Sequence, residues 1–285
     1  FFPLYPFLMR YLGIFCGGAY LAGLFISNLS LMISCWLLFK LLSLDFEYDT
    51  AERSVYYLLV FPVSFILSGV FTESLFLVLV LGVFYLSRTK HWWWAGVIGF
   101  LAALTRSVGV ILVAPLLIEY YLQMKKGDGK VHWNVISILF PIFGLFLFSW
   151  YNYYLTGDWL GFVHIQSTWG RSIINPIYLL SINFFHLAMG DKISLLFTVV
   201  TIGLLVYFYK KVPLSYWVYA LCSLIIPLSS GLFSIPRLVL PIFPLYLFLA
   251  LLSKKSEWHY LVMAVLLLLQ GFFMVFWSVG FGLII

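Results

Sequence analysis

"FPVSFILSGVFTESLFLVLVLGVFYLSRTKHWWWAGVIGFLAALTRSVGVIL" (Phe61–Leu112) decides what kind of fold this chain can adopt. Its only formal charges are Glu73, Arg88, Lys90 and Arg106, and long apolar and aromatic runs lie between them. The pattern holds along the chain. Of 285 residues, 64% are hydrophobic, 21% aromatic and only 9% charged, and the mean hydropathy is +1.08. A soluble domain carries roughly 25% charged residues. A chain this apolar would have an apolar surface if it folded in water. A bilayer removes the difficulty, because about 20 apolar residues cross its ~30 Å hydrocarbon layer as a helix. Such a helix satisfies every backbone polar group internally.

Working outward from that stretch, about ten apolar spans are expected: 16–42, 54–71, 72–87, 92–106, 107–122, 133–155, 193–209, 214–230, 236–253 and 258–283. Several are short, so re-entrant hairpins are an alternative at 54–87 and 92–122. Pro62, Pro115, Pro141 and Pro227 interrupt spans, which packed membrane helices tolerate. The expected fold class is all-α: a polytopic membrane protein forming one domain over 1–285, with no soluble domain and no repeat of fixed period. The opening "FFPLYPFLMRYLG" has no initiator Met, no charged leader and no cleavage site, so the chain reads as a fragment that begins downstream of its true start. Cys16, Cys35 and Cys222 sit in apolar runs without paired spacing, which suits small packed side chains.

The net charge of +6 sorts by side of the membrane and is no sign of nucleic-acid binding. With connections alternating, eleven basic residues fall on one side (Lys40, Arg53, Arg88, Lys90, Lys125, Lys126, Lys130, Lys210, Lys211, Lys254 and Lys255). Arg10, Arg106, Arg171, Lys192 and Arg237 fall on the other. The positive-inside rule assigns the first set to the cytoplasm. The outer face then holds "FTESLF" (Phe71–Phe76), "LTRSVG" (Leu104–Gly109), "LTGDWLGFVHIQSTWGRS" (Leu155–Ser172) and "FSIPRLVLPIFP" (Phe233–Pro244). Any chemistry is expected there, because the cytoplasmic loops are short and Lys-rich or, at Ser43–Arg53, acidic.

Each outer residue has a plain structural role as its alternative. Glu73 can cap a helix after Thr72, the arginines can snorkel to head groups, and Trp159 and Trp169 can belong to an interfacial aromatic belt. Against this, ionisable groups at membrane depth are functional suspects, and the outer face uses Arg, whose rigid fork suits phosphate. Arg106, Arg237 and Arg171 are therefore expected to hold a lipid phosphate. Arg237 follows Pro236 and is expected at the N-terminal end of the span 236–253, where a phosphate would share helix and guanidinium. Asp158, Trp159, His164, Gln166 and Trp169 are expected to line a sugar or acceptor wall. Glu73, Asp158 and Asp191 are the outer carboxylates, and Glu73 is the candidate for a role near the chemistry. No metal-ligand spacing and no nucleotide-binding glycine loop is present.

Taken together and in order, "FFPLYPFLMRYLG", "NLSLMISCWLLFKL", the opening stretch, "YNYYLTGDWLGFVHIQSTWGR" and "PRLVLPIFPL" resemble the PIG-V-type mannosyltransferase family, which includes GPI mannosyltransferase 2 and its prokaryotic homologues. The resemblance covers nearly the whole chain. It implies a class C membrane glycosyltransferase fold and an inverting transfer from a dolichyl- or polyprenyl-phosphate mannose donor to a glycolipid or glycan acceptor. The implied location is a multi-pass one, in the cell membrane of a prokaryote or the endoplasmic reticulum of a eukaryote, with the active face away from the cytoplasm. It also implies a key Asp in the first outer loop, which would precede Phe1. The lipid-phosphate sugar is the donor substrate, and the resemblance leaves a divalent metal open. A transporter or flippase of lipid-linked sugars is the alternative from another class.

Overall fold

The computed structural model describes residues 2–127, 129–169 and 184–281. These residues form helices and connections, and no strand occurs among them. We number the helices α1 Leu4–Cys16, α2 Ala19–Leu42, α3 Tyr48–Val60, α4 Glu73–Arg88, α5 Trp92–Thr105, α6 Val113–Lys126, α7 Phe140–Thr156, α8 Gly161–His164, α9 Met189–Phe208, α10 Leu214–Leu228, α11 Ile235–Leu238, α12 Pro244–Leu252 and α13 Ser256–Ser278. Five described segments are long and apolar enough to cross a membrane: Ala19–Leu42, Ser107–Lys126, Trp133–Thr156, Met189–Phe208 and Ser256–Ser278.

Other expected spans are shorter or broken. At 1.5 Å rise per residue, the 16 residues of α4 and 14 of α5 reach about 24 and 21 Å, less than the ~30 Å layer. The expected span 54–71 holds the end of α3, which stops at Val60 before Pro62, and a 3₁₀ turn over Ser64–Ser68. The expected span 236–253 is one turn, α11, followed after Pro241 by the nine-residue α12. A proline cannot donate to the preceding turn, so a helix entering Pro241 or Pro244 from the N-terminal side loses its ladder there.

The chain divides into two compact units built from interleaved segments. The first comprises Phe1–Leu37, Leu67–Gly170 and Pro213–Tyr219. Within it, α1 doubles back on α2 through Gly17 and Gly18, whose φ angles of 79° and 133° suit residues without a Cβ. The Tyr5 hydroxyl then lies 3.0 Å from the Gly23 carbonyl oxygen and 2.8 Å from Ser27 Oγ. Helices α4 and α5 form an antiparallel pair, and α5 packs on α7 through small residues. A Cβ added at Gly144 of α7 would stand 2.7 Å from the Phe100 carbonyl oxygen of α5, so only glycine admits this approach. Close packing of this kind holds helices together where apolar contact with lipid offers no advantage to either side.

The second unit comprises Leu38–Ile66, Arg171–Val212 and Ala220–Ile285. Helices α3 and α12 pack face to face, and Tyr57, Phe243, Tyr246 and Phe248 are wholly buried. Phe248 stacks on Phe208 of α9 with centroids 4.8 Å apart and planes 7° from parallel. Arg53 donates to the carbonyls of Ser253 and Lys254, and the Tyr57 hydroxyl meets Ser253 Oγ and, at 2.9 Å, His259 Nδ1. Helix α13 is almost wholly exposed, and the Gln270 amide ties it to the Leu59 carbonyl.

Candidate functional site

Glu73 is the first residue of α4, and its side chain is fully buried. The N-cap Thr72 makes no side-chain cap bond. Instead, Arg106 donates from its guanidinium to Glu73 Oε1 at 2.7 Å and lies 3.5 Å from Thr72 Oγ1. The guanidinium carbon stands 6.0 Å from the centroid of the Phe76 ring. The sequence thus supplied both partners, and the fold joins them across 33 positions.

Arg106 reaches this point because α5 ends one residue earlier. Its backbone is extended, with φ −153° and ψ 143°. The chain then turns into a 3₁₀ helix over Ser107–Leu112 that lies back against α5. Gly109 makes the reversal possible, since a Cβ there would stand 2.5 Å from the Ala103 amide nitrogen. On the other side, the segment leading into α4 is held by α2. Asn28 donates to the Ser68 carbonyl at 3.1 Å, and Ser27 to the Phe71 carbonyl at 3.3 Å. Ser74 Oγ bonds the Leu67 carbonyl. The Tyr5 hydroxyl lies within electrostatic reach of Glu73. A polar layer of Tyr5, Ser27, Thr72, Glu73 and Arg106 therefore forms at the N-terminal end of α4. A cation and a carboxylate together in such a layer can present a fixed guanidinium to an anionic group that enters beside them.

A second group forms just past α7. Gly157, with φ 72°, ends that helix. The Asp158 carboxylate accepts from the Leu160 amide at 2.9 Å and meets His164 Nδ1 at 2.6 Å. The bond with His164, and then the one with Leu160, hold the Asp158 carboxyl below its ordinary range. Both side chains are exposed, His164 more than Asp158. The Trp159 ring stacks on Tyr153 at 4.8 Å and 17°, and on Phe146 at 6.0 Å and 30°. Part of its face is thus given to α7, and 42% of the residue stays exposed. The Gln166 amide donates to the Phe162 carbonyl at 3.4 Å. The Trp169 side chain and Arg171 lie outside the described residues.

Arg237 lies in the second unit, half-buried, in the one-turn helix α11. The expectation that it sits at the end of a long helix is corrected here. A helix of four residues has too few aligned peptide dipoles to build the terminal charge that the expectation used. Asp191 lies in the first turn of α9.

The residues alone did not reveal a second buried acid, Glu119 of α6. Its Oε1 accepts from the Gln123 amide at 3.0 Å and lies 3.5 Å from Arg88 Nε, while Oε2 accepts from Ser215 Oγ at 3.0 Å. The signal was a lone acid in "PLLIEYYLQM", with an amide four residues on. Tyr5, Ser27 and Gly109 were likewise not singled out, because a Tyr, a Ser and a Gly in apolar runs have no distinguishing pattern. Among the described residues, no group of three or more His, Cys, Asp or Glu stands close enough to share a metal ion.

Fold and site together define an all-helical chain with membrane-length apolar helices and a buried acid–arginine pair at a helix break. No protein-family model, curated protein or solved structure matches the chain.

Proposed function

We propose that this protein is a polytopic membrane glycosyltransferase of the class C, PIG-V-like kind, with about ten membrane-crossing or re-entrant segments. It transfers a sugar, mannose by the resemblance, from a polyprenyl- or dolichyl-phosphate donor to a glycolipid or glycan acceptor on the face away from the cytoplasm. The observation that carries this reading is the Arg106–Glu73 pair: a guanidinium held at 2.7 Å by a fully buried carboxylate. In the proposed reaction, an acceptor hydroxyl loses its proton to a carboxylate and attacks the anomeric carbon. The bond from that carbon to the phosphate oxygen breaks, the configuration inverts, and the lipid phosphate leaves with the bonding pair. Arg106 meets the charge that develops on that phosphate, the kind of fixed electrostatic contact that lowers such barriers. Glu73, already engaged with Arg106, orients the guanidinium and is a positioning residue. Asp158, Trp159, His164 and Gln166 belong to the acceptor side.

The test is transfer by the purified full-length protein in detergent, with polyprenyl-phosphate mannose and a membrane-extracted glycolipid pool. A new glycosidic bond that depends on Arg106 is the expected result, whereas donor left intact by a folded protein defeats the proposal.

One observation favours the alternative, a carrier of lipid-linked sugars. The chain breaks at Phe61–Thr72 and at Arg106 beside a buried carboxylate, and helices interrupted at a binding site are a feature of transporters. Movement of labelled donor across sealed vesicles without bond formation would select that reading.

A further inference from the structure

Between α2 and α4 lies a groove of about 350 Å³, apart from both polar groups just described. Trp36 and Leu37 of α2 form one wall and Val78 and Tyr85 of α4 the other, while Gly82 and Ile98 make the floor. Its lining is almost wholly apolar. A Cβ at Gly82 would meet Ile98 at 3.4 Å, so glycine keeps the floor as deep as α5 permits.

The two helices run parallel here. Asn28 and Ser27 of α2 are bonded to the chain just before α4, and Trp36 and Leu37, farther along α2, stand beside the second half of α4. The groove therefore lies toward the Arg88 end. From Val78 to Leu86 it extends about 12 Å along α4, close to the ~15 Å hydrocarbon depth of one leaflet, half of the ~30 Å layer. Its far end has the marks of a head-group zone. Lys90 is exposed four residues beyond Leu86, and Trp93 and Trp94, 51% and 63% exposed, begin α5. Arg88 is engaged by Glu119, and the exposed cations at this end are Lys90 on the α4 side, beside Trp93 and Trp94, and Lys40, one turn beyond Trp36 on α2.

We propose that this groove binds one acyl chain of an anionic phospholipid, with the lipid phosphate against Lys90. The apolar lining selects the chain, the length selects a single leaflet, and the lysine selects the charge of the head group. The site is separate from the Glu73 layer and does not rest on the glycosyl-transfer reading.

The experiment places the full-length protein in phosphatidylcholine vesicles containing a trace of phosphatidylglycerol or phosphatidylcholine with a diazirine in one acyl chain. Irradiation and peptide mapping then locate the label. Peptides bearing Trp36 and Val78–Leu86 should label about fivefold more strongly from phosphatidylglycerol, the factor that one lysine at an anionic surface supplies. The apolar, exposed half of α13 from Val265 to Trp277 should label equally from both lipids. Lys90→Gln should remove the preference in the groove. Equal labelling of the wild-type groove by both lipids, labelling no stronger than on α13, or a preference that survives Lys90→Gln would overturn the proposal. If Lys90→Gln does not fold, the wild-type comparison decides alone.

Discussion

The two ends of α4 solve one problem in opposite ways. Each holds a carboxylate and an arginine, with the helix between them. At the first residue the acid, Glu73, belongs to α4, and the arginine comes from the break after α5. At the last residue the arginine, Arg88, belongs to α4, and the acid, Glu119, comes from α6. Both arrangements complement the helix dipole, with the acid at the N-terminus and the base at the C-terminus. They differ in how the carboxylate is held. Glu119 accepts at both oxygens from neutral groups, Gln123 and Ser215, and its arginine stands off at 3.5 Å. Glu73 takes a close charged bond of 2.7 Å from an arginine on irregular backbone. One end is a clamp between regular helices. At the other end, a break in the helix presents a guanidinium, which under the proposed function meets a substrate phosphate.

The largest expected effect tests that contrast. Glu73→Gln should cost about 3–5 kcal/mol of stability, the range for breaking a buried ion pair from one side, and should abolish donor turnover in whatever protein folds. Glu119→Gln should also destabilise, while turnover per folded molecule stays normal. Measured turnover and thermal unfolding for both variants decide it, and equal loss of turnover at both ends would erase the distinction. Next comes Gly109→Ala. Its Cβ would drive into the Ala103 backbone, so the 3₁₀ turn must shift, at about 1–3 kcal/mol for overpacking. Because the turn places Arg106, the Michaelis constant for the donor should rise further than the stability loss predicts. A variant with wild-type donor kinetics would show that Arg106 is set by Glu73 alone.

A smaller effect lies past α7. The folded Asp158 carboxyl titrates below its ordinary range because His164 and the Leu160 amide favour its charged form. A lowered folded pKa makes its contribution full above the ordinary carboxylate value, and the contribution disappears as pH falls through the lowered value. The melting-temperature difference between wild type and Asp158→Asn should therefore not shrink between neutral pH and the ordinary carboxylate range, and should shrink below it. A difference that shrinks between neutral pH and that range would put the pair outside the folded state. The smallest effect belongs to Gln270→Leu on α13, where one hydrogen bond to the Leu59 carbonyl is lost. About 0.6 kcal/mol is the usual value for such a bond in a membrane protein, and unfolding in detergent should show no more than a slight shift.

The sequence by itself determined the class of fold. Apolar runs with few charges permit little besides helices in a bilayer, because backbone groups must pair internally, and that requirement acts on local composition. It also marked Glu73 and Arg106 as ionisable groups set in apolar runs, and Asp158 and His164 as polar groups in a connection. Tertiary structure decided the rest. Which acid meets which arginine depends on packing across 33 positions, set by Gly109 and by the small residues between α5 and α7. The broken span at 236–253 depends on prolines, which some packed helices tolerate and this one does not. Glu119 was hidden for the same reason: burial and hydrogen-bond partners belong to the neighbours a side chain acquires, and one segment read alone does not contain its neighbours.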